Sequence, residues 1–334
     1  MAFTLRRFCC SVAFGFTASP FIRGAGVAFC ESVSTPSPST SSGSFFSRFT
    51  SKSDSDYVRT WGVKWVEDWD RPAVRGIRDD RSSSIQRQII LIRHGQYESE
   101  TQDDDSIRCL TPLGVKQARA TGVYLQKLFQ ESGRRKEAAA AYRAARLAYK
   151  QIKLDDVPDD AVDAAMRRME AASVAYRSAG GIFVDGAPRQ VYVSNLTRAK
   201  QTADLLLEAF PSALKKSVKV DSALRERFPC DVEPKRSHVA TAENMKAAEE
   251  VFERYFHRPT SDESSVEIIV GHANVIRYLT MRALQLPPEA WLRTSLPHCS
   301  VTTITIRGTG HVSLVGMGSY GHLPPELVTT SNLP

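Results

Sequence analysis

The chain has 334 residues, 42% hydrophobic and 24% charged, with a formal net charge of +7. Its acids and bases are interspersed and no concentrated basic stripe marks a nucleic-acid surface, while the length predicts one or two domains. The six cysteines, Cys9, Cys10, Cys30, Cys109, Cys230 and Cys299, show no metal-site spacing and three fall in the leader, so reduced thiols are expected and neither metal nor cofactor.

Taken in chain order, residues 1–30 hold Arg6, Arg7 and Arg23 and no acid before Glu31. That is the composition of an organellar transit segment, with a secretory signal as the competing reading. The apolar run from Phe8 to Ile22 is about 15 residues, broken by Pro20, against the ~20 needed to span a bilayer. Residues 31–56 are rich in Ser, Thr and Pro and poor in large apolar side chains, so a disordered linker is predicted. Residues 57–84 carry Trp61, Trp65 and Trp69 at intervals of four, flanked by charge. Such a segment either docks on its own domain or serves self-association through aromatic anchors.

From residue 85 to 330 the pattern alternates. Strands are predicted at 88–93, 190–194, 217–220, 266–271, 301–307 and 311–317. Helices are predicted at 112–131, 197–209, 239–257, 274–285 and 288–293. The alternation argues a three-layer α/β/α sandwich on a mostly parallel sheet. Thr111-Pro112 reads as an N-cap followed by proline at the first helical position. Gly308-Thr309-Gly310 reads as the turn of an antiparallel hairpin. Residues 133–181 interrupt the scheme with a helical hairpin bracketed by Gly133 and Gly180-Gly181. One seam is Ala138, Tyr142, Ala145, Tyr149 and Ile152; the other is Val162, Met166, Met169, Ser173 and Tyr176.

Chemistry concentrates at strand ends. Leu91-Ile92-Arg93-His94-Gly95 ends a strand in a tight loop, where α/β sheets build their active sites. Arg198 follows the strand at 190–194, Leu224-Arg225-Glu226 supplies a carboxyl group, and Val270-Gly271-His272 ends another strand. Guanidinium groups bind phosphate oxygens bidentately. A neutral imidazole can attack phosphorus and hold it covalently. A carboxylic acid can protonate the leaving oxygen and then, as carboxylate, activate water.

These four segments resemble the histidine phosphatase superfamily, also called phosphoglycerate mutase-like. The resemblance implies that His94 is the phosphorylated nucleophile. It implies that Arg93, Arg198 and His272 complete the phosphate pocket, with His272 also counted as catalytic, and that Glu226 is the proton donor, with Glu233 as the next candidate. Where many members carry Asn six residues after the nucleophile, this chain has Glu100. Pro288 to Arg293, Ser295 to Ser300 and Gly321 to Glu326 are similar to the mitochondrial serine/threonine protein phosphatase branch, phosphoglycerate mutase family member 5. Trp65-Val66-Glu67-Asp68-Trp69-Asp70 is similar to that branch's assembly motif, keeping Trp65, Trp69 and Asp70 and departing at Val66 and Asp68. The resemblance implies phosphoprotein substrates, a homo-oligomer, a mitochondrial location and membrane association. A small-molecule phosphomonoesterase or mutase, and an adaptor that retains the pocket, are the alternative readings. His298 and His322 fall in the shared stretches and are read as supports behind the pocket; His238, His257 and His311 are read as surface or loop residues.

Overall fold

The computed structural model describes residues 64–70, 84–98, 104–152 and 157–330. The leader, the linker, Trp61 and Glu100 lie outside the described residues.

Four consecutive aliphatic residues set the architecture. Ile89, Ile90, Leu91 and Ile92 in β1 (Gln86–Arg93) have no solvent exposure. Successive strand residues face opposite ways, so a strand apolar at every position is covered on both faces. Ile89 and Leu91 join a core with Val251, Phe252, Ile276 and Leu279. Ile90 and Ile92 join another with Leu125, Phe129, Ala199 and Ala203. One strand therefore separates two helical layers, as the alternating pattern predicts.

The remaining elements follow as α1 (Pro112–Ile152), α2 (Asp159–Ser178), β2 (Gln190–Ser194), α3 (Thr197–Leu206), the short α4 (Ser212–Lys215) and β3 (Val218–Asp221). Then come α5 (Ala242–Tyr255), β4 (Ser265–Gly271), α6 (Ala273–Ala283), β5 (Val301–Arg307) and β6 (Val312–Ser319). The sheet order is β3-β2-β4-β1-β5-β6. The first four strands run parallel, while β5 is antiparallel to both β1 and β6. Register places Arg93 beside Gly271, Val193 beside Val270 and Ser194 beside Asp221. The carboxyl ends of β1, β4, β2 and β3 thus finish level, and the residues that follow them meet along one edge.

Two local differences from the sequence expectation have physical causes. Gly133 does not end a helix: α1 runs through it as a single element of 41 residues. It packs against Gly186, where it is a Cβ on Gly186 that would lie 2.8 Å from the Gly133 Cα. The stretch predicted as a helix at 288–293 is a 3-10 segment, Pro288–Arg293. In the hairpin, Tyr142 stacks on Tyr176 with centroids 6.2 Å apart. Met166 is exposed while the smaller Ala165 takes the buried place on α2.

The Trp segment docks on its own domain. Trp69 Nε1 donates to Gly310 O at 2.8 Å, and its ring lies 5.9 Å from that of Phe252. Trp65 lies 5.9 Å from the His311 ring. Asp70 is buried, and its Oδ2 accepts from the Arg258 backbone N–H at 2.6 Å. Val66 takes part through its backbone, paired with Gln285 in both directions at 2.7 and 2.9 Å. Its side chain is 45% exposed, which accounts for a free choice of residue there.

Among the described residues, no helix is long and apolar enough to cross a membrane, and no group of three or more His, Cys, Asp or Glu is placed to hold a metal ion. Cys109, Cys230 and Cys299 are free thiols.

Candidate active site

The loop that carries His94 is held flush against the start of α1. A Cβ on Gly95 would lie 2.8 Å from Gly114 O, and one on Gly114 would lie 2.0 Å from Gln96 O. Glycine at both positions permits that approach. Thr111 Oγ1 accepts from Gly114 N at 3.0 Å, the expected N-cap. Gly95 N donates to Thr202 Oγ1 at 3.0 Å, and Gln96 N donates to Gln117 Oε1 at 2.8 Å. His94 N donates to Gly271 O at 2.9 Å, which locks the loop to the end of β4.

His94 is buried, and its Nδ1 lies 2.8 Å from Gly95 O. A carbonyl only accepts, so the proton sits on Nδ1 and Nε2 carries the lone pair. Burial, then the charges of His272, Arg93 and Arg198, hold its pKa well below the ordinary histidine value. The ring stays neutral and nucleophilic. Arg198, in the first turn of α3, brings its Nε to 3.3 Å from His94 Nε2. That guanidinium lies 4.7 Å over the Tyr97 ring, and its Nη1 is 3.4 Å from Asp105 Oδ1.

His272, the residue before α6, has its ring centroid 5.1 Å from that of His94. Its Nε2 is 2.8 Å from Ser194 Oγ, which already accepts from Leu196 N at 3.3 Å. The Nδ1 of His272 has no hydrogen-bond partner among the described residues. Burial and the two arginines keep this ring neutral. Arg93 donates to Leu296 O and, at 2.9 Å, to His298 Nε2. Burial lowers its pKa to about 10, still charged at neutral pH.

Glu226 follows the turn after β3, where Asp221 Oδ1 accepts from Ala223 N at 2.8 Å. Desolvation raises its carboxyl pKa, against the lowering effect of the Arg227 backbone N–H and of Arg198 and Arg93. Burial thus favours the protonated acid, the form that can donate a proton. Glu233, the next candidate, is exposed.

All of the residues expected to form the pocket converge, and Trp65, Trp69 and Asp70 lie on a separate docking seat. Tyr97, Asp105, Ser194 and Thr202 were not legible as part of the site. His298 was, through its place in a shared stretch, although its direct bond to Arg93 was not.

A parallel α/β edge that gathers two neutral imidazoles, two guanidiniums and a buried carboxyl group defines an enzyme of phosphoryl transfer. Comparison with known proteins narrows the class. The family model described as histidine phosphatase superfamily (branch 1) matches residues 170–267 and 248–317, which hold Arg198, Glu226 and His272. The chain is 31% identical over 271 residues to the serine/threonine-protein phosphatase Pgam5, mitochondrial, of Caenorhabditis elegans, covering 80% of this chain and 74% of that one. It is 32% identical over 260 residues to the Homo sapiens protein of the same name, covering 76% and 69%. Among solved structures it is similar to phosphoglycerate mutase from Plasmodium falciparum at 25% identity, covering 73% and 98%, with a TM-score of 0.38; the assignment rests on the sequence relatives. The chain belongs to the histidine phosphatase superfamily and, within it, to the family of the Pgam5 mitochondrial phosphatases. It is a phosphatase that works through histidine.

Proposed function

We propose that the chain removes phosphate from phosphoserine and phosphothreonine in proteins, with His94 as phosphoryl acceptor and Glu226 as proton donor. The observation that carries this reading is the His94 Nδ1–H bond to Gly95 O, which leaves the Nε2 lone pair beside Arg198. The relatives' names supply the substrate class.

In the first step Nε2 attacks phosphorus and the bond to the seryl or threonyl oxygen breaks. Glu226 gives that oxygen its proton. In the second step the Glu226 carboxylate takes a proton from water, whose oxygen attacks the phosphohistidine. Inorganic phosphate leaves and His94 is restored. Arg93, Arg198 and His272 hold the equatorial oxygens, where charge accumulates. No step calls for a metal.

The test is incubation of the purified protein with phosphopeptides and, separately, with 3-phosphoglycerate, with chelator and without added metal. Phosphate release from peptides and an acid-labile phosphoenzyme are expected. Phosphoryl exchange among phosphoglycerates that outpaces release from peptides would overturn the reading in favour of a mutase.

The location is mitochondrial: the relatives' names say so of them, and the arginine-bearing, acid-free leader composition agrees. We propose in addition that the chain forms a homo-oligomer through Trp65, Trp69 and Asp70 and associates with a mitochondrial membrane through its leader. What supports the first is that the seat used by these residues can equally take the same segment of a second copy, an exchange that adds no new interface.

A further inference from the structure

The sequence after β6 returns across the molecule as a strap. Leu323 is buried against Ala118 of α1 and Cys299, with Leu327 and Val328 packed beside them. At its end stands Thr329. Its backbone oxygen accepts from His298 N at 2.9 Å. Its hydroxyl oxygen is 2.8 Å from His298 Nδ1 and accepts from Gln117 Nε2, also at 2.8 Å. Gln117 has no solvent exposure; its Nε2 also donates to Leu327 O at 2.7 Å, and its Oε1 accepts from Gln96 N. The strap is thereby tied both to the nucleophile loop and to His298.

We propose that Thr329 is a positioning residue for the phosphate pocket: its hydroxyl selects the tautomer of His298 that holds the Arg93 guanidinium in place. A guanidinium has donors only, so the His298 nitrogen facing Arg93 at 2.9 Å, Nε2, must carry the lone pair. The ring proton is then on Nδ1, and Nδ1 needs an acceptor. Thr329 Oγ1 is that acceptor. Its two lone pairs are taken by His298 and Gln117, which fixes it in that role. Without the hydroxyl, His298 is released to the tautomer with a proton on Nε2. That N–H points at a cation, and Arg93 loses the acceptor that His298 provides. The apolar anchors of the strap do not involve the hydroxyl, so it is a switchable element on a fixed support.

The proposal rests on the phosphohistidine reading of the pocket, and the test separates the two. Wild type, Thr329→Val and Thr329→Ser are compared in the full chain. For Thr329→Val, KM for a phosphopeptide and the inhibition constant of inorganic phosphate rise about tenfold, the scale of one hydrogen bond made indirectly to a charged group. kcat changes less, and the thermal midpoint matches wild type. Thr329→Ser restores phosphate binding. In a His298→Gln background Thr329→Val has no further effect, because the coupling passes through the ring. ¹⁵N spectra show the His298 proton on Nδ1 in wild type and moved in Thr329→Val, and this signal does not depend on turnover. Unchanged phosphate inhibition in Thr329→Val, or equal losses in both backgrounds, would overturn the proposal. A wild type with neither turnover nor phosphate binding would overturn the pocket reading, while an unmoved ¹⁵N signal would by itself overturn the part played by Thr329.

Discussion

One hydrogen bond, from His94 Nδ1 to Gly95 O, decides which imidazole nitrogen meets the substrate. His94→Ala is expected to abolish turnover and the acid-labile phosphoenzyme together. The fold survives, because the loop is held by backbone bonds to Gly271, Thr202 and Gln117; turnover by the variant would sink the mechanism. Glu226→Gln is expected to slow esters with poor leaving groups by roughly 10²–10⁴, the usual contribution of a general acid. Nitrophenyl phosphate, whose leaving oxygen needs no proton, suffers less. Equal losses on both would remove Glu226 from the role. The pH profile has a definite sign. The Glu226 pKa is raised, so the donor stays protonated to a higher pH than an ordinary carboxyl, and the rate on phosphopeptides falls as pH rises through that value. The His94 pKa is lowered, so the nucleophile stays neutral far into the acid range. Glu226→Gln is expected to flatten the alkaline limb and leave the acid limb in place. Arg93, His94, Arg198 and His272 were legible because each stands at the end of a strand, directly after one or in the first turn of a helix, next to an apolar run that marks the strand; Glu226 lies further on, past the turn after β3. Tyr97, Asp105 and Ser194 were not, because they reach Arg198 and His272 only through a register between segments about 80 to 100 residues apart, which periodicity does not carry.

At the scale of elements, the six strands were legible nearly to the residue; in β1, β2, β4 and β5 buried runs rich in β-branched residues have few other outcomes. The 41-residue α1 was not. Gly133 reads as a stop when taken alone, yet the helix runs through it, and it is the missing side chain of Gly186 that lets the two backbones meet. The outer half of α1 and the whole of α2 form an arm whose seam was correctly placed at Tyr142 and Tyr176, with Ala165 replacing Met166 inside. Deleting Arg134 to Ala179 and joining the glycines is expected to leave peptide phosphatase activity within about an order of magnitude. A Cβ on Gly181 would lie 2.6 Å from the Ser132 Cα, so the ends to be joined are neighbours, and truncation tolerance follows burial rather than sequence position. No pocket residue lies in the arm. A folded but inactive deletion would make the arm a part of the active site. Gly114→Ala tests the opposite kind of element contact. Its methyl would overlap Gln96 O, so the loop carrying His94 must move and activity is expected to drop sharply, while circular dichroism stays close to wild type; full activity would mean that the loop tolerates displacement.

For the molecule as a whole, residues 64–70 pose a choice between cohesion and assembly. Trp69 and Asp70 reach Gly310, Phe252 and Arg258 of the same chain. These groups lie on α5 or just after it and in the β5–β6 turn, on the side of the molecule served by the Ile89 and Leu91 core. A seat used within one chain is open to the identical segment of another when copies exchange that segment. The two arrangements differ in what a double substitution does. Aromatic anchors at such seats contribute about 2 kcal/mol or more each, so Trp65→Ala with Trp69→Ala must show in one of two observables. If the segment bridges copies, wild type sediments as an oligomer at micromolar concentration and the double variant as a monomer. Its thermal midpoint then depends less on protein concentration than that of wild type, because dissociation no longer contributes. If the segment serves its own domain alone, both proteins sediment alike, and the variant unfolds at a lower temperature that does not vary with concentration. The oligomer proposal expects the first pattern, with phosphatase activity falling as copies separate; matched sedimentation profiles at equal concentration would remove it and leave the segment as an intramolecular clasp.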